Sequence, residues 1–191
     1  MKGHKPAERE NEIKLALADV STGRRLLRAA GFRISRSRVF EVNVVFDTPD
    51  RRIVGSGALL RLRVVHGKGI LTYKGPALDG LVHKSREEIE ATLENPADMR
   101  LILERLGYES IFRYEKFRAE FYRPGEPGLA MLDETPIGVY LELEGPPRWI
   151  DRTARRLGFS AKDYITSSYA RLYFEWCAAK GNVPCDMTFK K

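Results

Sequence analysis

The sequence predicts an α+β fold in which eight β-strands form the core and helices lie against them. Eight segments alternate apolar side chains with polar or charged ones at a period of two, as strands with one apolar face do. Turn residues separate these segments, and four further stretches carry apolar residues at helical spacing. Of the 191 residues, 43% are apolar, which suffices for one core. One domain is therefore expected over residues 1–191, with its core at about 8–180 and a loose tail at 181–191.

The strands are bounded by recognisable turn signals. The first strand covers residues 10–18, with Ile13, Leu15 and Leu17 on its apolar face. His66-Gly67-Lys68-Gly69 predicts a hairpin turn, and Gly75-Pro76 ends the strand that follows it. The other seven strands are predicted at residues 33–46, 58–65, 70–74, 82–93, 111–122, 129–134 and 138–144.

Capping residues mark the predicted helices. Ser21 is a plausible N-cap for a short helix that Gly31 ends, and Pro96 suits the first turn of a helix that Gly107 closes. Two more helices are predicted at residues 147–158 and 161–180. The last of these carries several aromatic side chains, which indicates a buried face.

Composition limits the classes of function. The formal charge of +7 favours an anionic partner. No stretch approaches the roughly 20 apolar residues that cross a bilayer, so no membrane association is expected. The polar residues 1–6 lack the apolar centre of a secretory signal. Cys177 and Cys185 fit neither a zinc motif nor a disulfide framework, and together these features predict a cytoplasmic protein.

Charged side chains share one face of nearly every predicted strand. One interpretation is a sheet with a solvated face and cross-strand ion pairs. The alternative is a closed barrel with the charges turned inward, and the scarcity of uncharged polar residues on these faces favours it. Enclosed charges are costly unless they are paired or bind a ligand. The acidic members are Glu10, Glu12, Glu88, Glu90, Glu120, Asp133, Glu142 and Glu144, and the basic members are Lys14, Arg61, Arg63, Lys74, Arg86, Lys116 and Arg118.

A lumen that contains both acids and bases suits a metal-bound polyphosphate. Arginine and lysine match phosphate oxygens, whereas carboxylates approach a polyphosphate only through a divalent cation. Oxygen ligands without a cluster of cysteine or histidine favour Mg²⁺ or Mn²⁺ over zinc. The bases could also spread the charge that develops on phosphoryl oxygens during transfer.

The motif Glu10-Asn11-Glu12-Ile13-Lys14 resembles the ExExK signature of the CYTH superfamily, the triphosphate tunnel metalloenzymes. This superfamily includes class IV adenylate cyclases, thiamine triphosphatases and inorganic triphosphatases. The resemblance covers residues 8–144 strongly and the final helices loosely. It implies an eight-stranded antiparallel β-barrel with a triphosphate inside. The supporting motifs, in the expected order, are Phe46-Asp47-Thr48-Pro49, Arg61-Leu62-Arg63, Leu71-Thr72-Tyr73-Lys74-Gly75-Pro76, Arg86-Glu87-Glu88-Ile89-Glu90, Lys116-Phe117-Arg118, Asp133 and Leu141-Glu142-Leu143-Glu144.

The resemblance also implies roles for individual residues. The metal ligands would be Glu10, Glu12, Glu142 and Glu144. Three further acids, Glu88, Glu90 and Asp133, would support the metal or orient basic neighbours. The side chains that bind phosphate, here called the phosphate cradle, would be Arg61, Arg63, Lys74, Lys116 and Arg118, while Arg86 could join them or pair with an acid. Lys14 would position or deprotonate a water or pair with a carboxylate, and with Glu12 and Arg61 it completes the expected catalytic set.

Three functions remain open at the level of sequence. The first is a metal-dependent triphosphatase acting on a nucleotide, thiamine triphosphate or inorganic triphosphate. The second is a class IV adenylate cyclase that converts ATP to cyclic AMP and pyrophosphate. The third is a non-enzymatic binder of polyphosphate or nucleotide. Nucleic acid is not expected as a partner, because basic patches such as Arg24, Arg25 and Arg28 are more often solvated surface. A monomer or homodimer is expected.

Overall fold

The structure, a computed structural model, describes residues 8–78 and 80–190. Its eight strands are β1 (Glu8–Leu17), β2 (Arg33–Asp47), β3 (Leu59–Val65), β4 (Lys68–Lys74), β5 (Lys84–Leu93), β6 (Glu109–Tyr122), β7 (Leu129–Thr135) and β8 (Gly138–Glu144). They form a closed antiparallel barrel in the order β1-β5-β4-β3-β2-β6-β7-β8. The predicted α+β class and the eight-stranded barrel are therefore confirmed. Residues 1–6, expected to be polar and without a signal, and Lys191 of the expected tail lie outside the described residues.

Five α-helices accompany the barrel in the described part of the chain. They are α1 (Val20–Ala29), α2 (Arg52–Gly55), α3 (Pro96–Arg105), α4 (Pro147–Arg156) and α5 (Tyr169–Ala179). The N-cap of α1 is Asp19, whose carboxylate accepts a hydrogen bond from the backbone N–H of Thr22 at 2.7 Å. The prediction of Ser21 as the N-cap was therefore wrong by two positions. None of these helices has the length and apolarity needed to span a bilayer.

The apolar face of the barrel points outward and is buried under helices. Ile13 and Leu141 on the barrel pack against Leu27 of α1 and Ile150 of α4, and all four side chains are fully buried. A smaller cluster of this outer face lies under α3. The cluster under α5 differs, because its members Val45 and Phe112 belong to the inner face at one end of the barrel. Because side chains alternate along a strand, the opposite face of each strand must point into the barrel.

The final predicted helix is wrong in its first half. Residues 161–163 form a single 3₁₀ turn, the chain is then extended, and α5 begins only at Tyr169. In the extended part, Lys14 donates its backbone N–H to Ile165 at 2.8 Å and accepts one back at 2.9 Å. The pairing of β1 with β5 stops at Glu12, so the backbone of Lys14 needs another partner. The predicted helix is therefore interrupted at Ile165, which supplies this backbone partner.

The tail is docked, in contrast to the loose tail expected at 181–191. Met187 forms a bridge with Tyr114, accepts the N–H of Glu115 at 2.9 Å and donates its own N–H to Arg113 at 2.9 Å. β6 pairs with β7 only from Phe117 onward, which leaves the preceding edge of β6 open. Residues around Met187 satisfy that edge, as an added strand would.

Met187→Ala tests this docking. The side chain is 1% exposed, so truncation should lower the free energy of unfolding by about 2 kcal/mol or more. Urea unfolding measures the change. Val183→Ala is the matched control, because Val183 is 87% exposed in the same segment and should change stability by less than about 0.5 kcal/mol. Equal, small effects of the two substitutions would contradict the docked tail.

Candidate active site

The inward faces of the strands enclose a cavity of about 810 Å³. Of the predicted site residues, all but Asp133 line it. Those that do are Glu10, Glu12, Lys14, Arg61, Arg63, Lys74, Arg86, Glu88, Glu90, Lys116, Arg118, Glu142 and Glu144. Residues that are far apart in the sequence are thus brought together by barrel closure.

Strand register arranges the lining in successive layers. Val45 of β2 lies opposite Arg61 on one side and Phe112 on the other. Two residues along β2, Asn43 lies opposite Arg63. Glu41, two residues further, lies opposite Lys116. The cavity therefore passes from an apolar end into a charged interior.

Asp133 is not among the residues that line the cavity, but it orients two bases of the phosphate cradle. It is fully buried and accepts hydrogen bonds from Lys116 Nζ at 2.9 Å and from Arg118 Nε at 2.7 Å. Its Oδ2 also accepts from Arg118 Nη2 at 2.6 Å and from the hydroxyl of Tyr169 at 2.7 Å. Of the two roles expected for Asp133, this placement suits the orientation of basic neighbours.

Lys14 is held between two carboxylates. Its Nζ lies 2.9 Å from Glu142 and 3.5 Å from Glu12. Burial disfavours the charge on Lys14, but Glu12 and Glu142 outweigh it and raise the pKa above its usual value. Lys14 is therefore an ammonium that donates hydrogen bonds at neutral pH.

Glu10, Glu88 and Glu144 gather at one part of the cavity wall. Lys74 contacts both Glu10 and Glu88, the latter at 3.1 Å. Burial, together with the hydrogen bond that protonated Glu88 donates to Glu10, raises the pKa of Glu88 to about 8. Burial and the charge of Glu10 likewise raise the pKa of Glu144 to about 7. We call these three residues the acidic cluster.

The acidic cluster fits a divalent cation by the chemistry of its donors. Crowded carboxylates repel one another, and a hard cation with oxygen ligands relieves that repulsion. Among the described residues, no three acidic, histidine or cysteine side chains already converge on one point. The carboxylates turn instead toward bases, as Glu12 does toward Lys84 at 3.1 Å. Within the acidic cluster, cation binding would require Glu10 and Glu88 to turn away from Lys74.

Sequence reasoning missed several polar residues of the interior, among them Asn43, which accepts a hydrogen bond from Arg63 Nε at 3.0 Å. Glu41 is fully buried, with a carboxylate oxygen 3.4 Å from Arg63 Nε and 3.7 Å from Lys116 Nζ. Lys84 pairs with Glu12, and Tyr114 accepts a hydrogen bond from Arg61 Nη1 at 3.3 Å. The alternation that identified the other charged faces could have found Glu41, since it occupies alternate positions with valines of the predicted second strand.

The end of the cavity nearest Arg61 is apolar. Val45, Leu59 and Phe112 supply its strand-borne wall, and Ala170 and Phe174 of α5 complete it. We call these five residues the apolar collar. Phe174 is 44% exposed although it is a large apolar side chain. An exposed aromatic face beside a charged cavity is a common feature of sites that bind organic anions.

Glu41→Gln tests the electrostatics of the interior. Burial alone would raise the pKa of Glu41, but Lys116, Arg118 and Arg63 lower it to about 2. Because the pKa of Glu41 is lower in the folded state than in the unfolded state, its ionisation stabilises the fold at pH values above the unfolded pKa of about 4.5. This stabilisation is lost as the pH falls toward the folded pKa of about 2. The wild type should therefore exceed the variant in unfolding free energy by an amount that shrinks by about 2 kcal/mol between about pH 6 and pH 3.

Urea unfolding of both proteins across this range measures the difference. Other carboxylates titrate in the same window, but they are common to both proteins and largely cancel. A difference that stays constant with pH would contradict the placement of Glu41 among the bases.

A model of the CYTH domain matches residues 8–169 of the chain. A protein of Methanocaldococcus jannaschii named as a putative adenylate cyclase is 33% identical over 135 residues, which cover 71% of this chain and 75% of that protein.

Solved structures share the fold. A putative adenylate cyclase from Vibrio parahaemolyticus has a TM-score of 0.75 at 20% identity, with 87% of this chain and 98% of that chain covered. A putative adenylyl cyclase from Hippeastrum, described as revealing a dominant triphosphatase activity, has a TM-score of 0.61 at 21% identity, with 92% and 97% covered. Both likenesses concern the barrel architecture.

Proposed function

Because the chain belongs to the CYTH domain family, we propose that it is a divalent-metal-dependent triphosphatase that hydrolyses an organic triphosphate in its barrel cavity. The proposal rests on one observation. The phosphate cradle and the acidic cluster line the same enclosed cavity, although they come from six different strands. Neither a solvated sheet face nor a simple anion-binding patch requires both kinds of charge in one enclosure.

In this proposal the phosphate cradle holds and polarises the triphosphate. Arg61 and Arg63 project from adjacent layers of β3, while Lys116 and Arg118 project from β6. Asp133 holds the last two in fixed directions, so little reorganisation accompanies substrate binding. Fixed positive groups of this kind stabilise the charge that spreads over phosphoryl oxygens in the transition state. Lys74 and Arg86 would complete the cradle.

The acidic cluster would hold Mg²⁺ or Mn²⁺, with Glu12, Glu90 and Glu142 as further carboxylates within the same cavity. The bound cation would supply Lewis-acid chemistry and neutralise phosphate charge. As an ammonium, Lys14 would donate a hydrogen bond that positions the attacking water or a phosphate oxygen. It would not serve as the base, because its ion pairs raise its pKa.

The apolar collar supports an organic substrate over inorganic triphosphate. A bare triphosphate has no apolar part, whereas the collar adjoins the layer of Arg61 and offers Phe112 and Phe174 to a ring system. The adenylate cyclase names of the relatives keep ATP cyclisation as the second candidate. A cytoplasmic location and a monomeric or homodimeric state remain predictions.

A substrate panel tests the proposed reaction. ATP, thiamine triphosphate and inorganic triphosphate are incubated with Mg²⁺ or Mn²⁺, and phosphate, pyrophosphate and cyclic AMP are quantified. We expect phosphate release from an organic triphosphate, loss of activity with a chelator, and a fall in kcat/KM of about a hundredfold or more in Arg61→Ala. Arg28→Ala on the outer face of α1 is the matched control and should retain activity.

The identity of the reaction products distinguishes the three candidate functions. Cyclic AMP with pyrophosphate as the main products would replace hydrolysis with cyclisation. Triphosphate binding without turnover under every metal and substrate condition would indicate a binder.

Phe174→Ala tests the apolar collar. Loss of the aromatic face should raise KM for an organic triphosphate by about five- to tenfold, because part of an apolar contact is removed. KM for inorganic triphosphate should change less than about twofold. Steady-state kinetics on both substrates measure the split, and Leu106→Ala, an exposed residue just after α3, serves as the control. An equal rise for both substrates would contradict a collar specific for the organic part.

A further inference from the structure

The first residue of α5 enters the charged interior of the barrel. Tyr169 lines the cavity and is 6% exposed. The centre of its ring lies 5.2 Å from Lys14 Nζ and also 5.2 Å from Lys116 Nζ. One aromatic side chain thus contacts two ammonium groups that come from different strands.

Both contacts are attractive. The face of an aromatic ring carries negative charge density, and it attracts an ammonium group within about 6 Å of its centre. The attraction is stronger where water is excluded, and Lys14 and Lys116 are each 2% exposed. The ring therefore balances part of two positive charges without adding a carboxylate to the cavity.

The ring of Tyr169 is held in place from several sides. Burial and the neighbouring Asp133 raise the pKa of Tyr169 well above its usual value, so the hydroxyl stays protonated and donates to Asp133 at 2.7 Å. The ring of Tyr140 meets it edge-on at 5.6 Å, and that of Tyr114 lies at 6.3 Å. A ring fixed in this way can fix the ammonium groups that contact it.

The chain leading into Tyr169 holds Lys14 as well. Ile165, four residues earlier, exchanges two backbone hydrogen bonds with Lys14. Ser168 caps α5 by accepting the N–H of Arg171 at 3.3 Å, which sets the direction in which the helix starts. The C-terminal segment therefore contacts Lys14 through both its backbone and its ammonium group.

We propose that Tyr169 is a positioning residue whose ring holds the ammonium groups of Lys14 and Lys116 toward the triphosphate. The role rests on the function proposed above. Each ammonium already contacts a carboxylate at 2.9 Å, Glu142 for Lys14 and Asp133 for Lys116. Without the ring, each ammonium could turn about its carboxylate, and the attraction of the ring restricts that motion.

The charge of the ring face can be tested apart from the shape of the side chain. Tyr169→Phe removes the hydroxyl and keeps the ring, and replacement of Tyr169 by 3,4,5-trifluorophenylalanine keeps nearly the same shape but removes most of the negative charge of its face. Relative to Tyr169→Phe, the fluorinated variant should lose about tenfold in kcat/KM. A residue that only fills space would give equal values for the two variants.

Position 173 supplies the matched control. Tyr173 lies one turn further along α5 and is 7% exposed, but its ring packs against Phe112 and Trp176. Phenylalanine and trifluorophenylalanine at this position should give the same kcat/KM within about twofold. A loss at position 173 as large as that at position 169 would overturn the proposal, because it would reflect fluorination of the helix in general.

A coupling experiment identifies the cations through which Tyr169 acts. The effect of fluorination is measured again in Lys116→Met and in Lys74→Met, since Lys74 pairs with Glu10 and Glu88. The effect should shrink at least threefold in the Lys116→Met background and persist in the Lys74→Met background. Equal effects in the two backgrounds would overturn the assignment.

Calorimetric binding of inorganic triphosphate gives a readout that does not depend on turnover. Fluorination at position 169 should raise Kd about fivefold relative to Tyr169→Phe. If the wild type binds triphosphate without hydrolysing it, the proposed function fails while this comparison still decides the role of Tyr169. Unchanged Kd together with unchanged kcat/KM would overturn the inference.

Discussion

The structure depends on the neutralisation of charge inside a closed barrel. Charges enclosed away from water are unfavourable unless partners of opposite sign lie close by. Here the partners come from other strands, as Lys14 with Glu142, Lys116 with Asp133 and Lys84 with Glu12 do. Each such pair links the conformation of the site to the closure of the barrel. In the proposed function, Lys116 and Arg118, which Asp133 holds, would be oriented before a ligand arrives, and this favours electrostatic catalysis without reorganisation.

The same requirement explains the C-terminal part of the chain. Among the described strands, the backbone edges without a strand partner include one at Lys14 on β1 and another at Tyr114 on β6. Ile165 satisfies the first and Met187 the second. In doing so, the C-terminal segment brings Tyr169 and the two helical residues of the apolar collar, Ala170 and Phe174, to the cavity. The same segment therefore completes both the barrel and the candidate site.

Many of the strands could be predicted from local pattern, because the alternation of apolar and charged side chains depends only on consecutive residues. The paired bases Arg61 and Arg63 identified one inward face in this way. Closure itself followed from the family resemblance, since alternation also fits a solvated sheet. The broken final helix and the docked tail could not be found locally, because the open edges that Ile165 and Met187 satisfy belong to distant strands. Glu41 shows a different limit, since its pattern was present but a lone carboxylate among valines gave a weak signal.

Crystals grown with a non-hydrolysable organic triphosphate and Mn²⁺ would test the central claim most directly. The account predicts phosphate oxygens within hydrogen-bond distance of Arg61, Arg63 and Lys116, and an anomalous manganese peak among carboxylates of the cavity. The organic part should lie against Phe174. A triphosphate bound on the outer surface, with the interior ion pairs unchanged, would contradict the account.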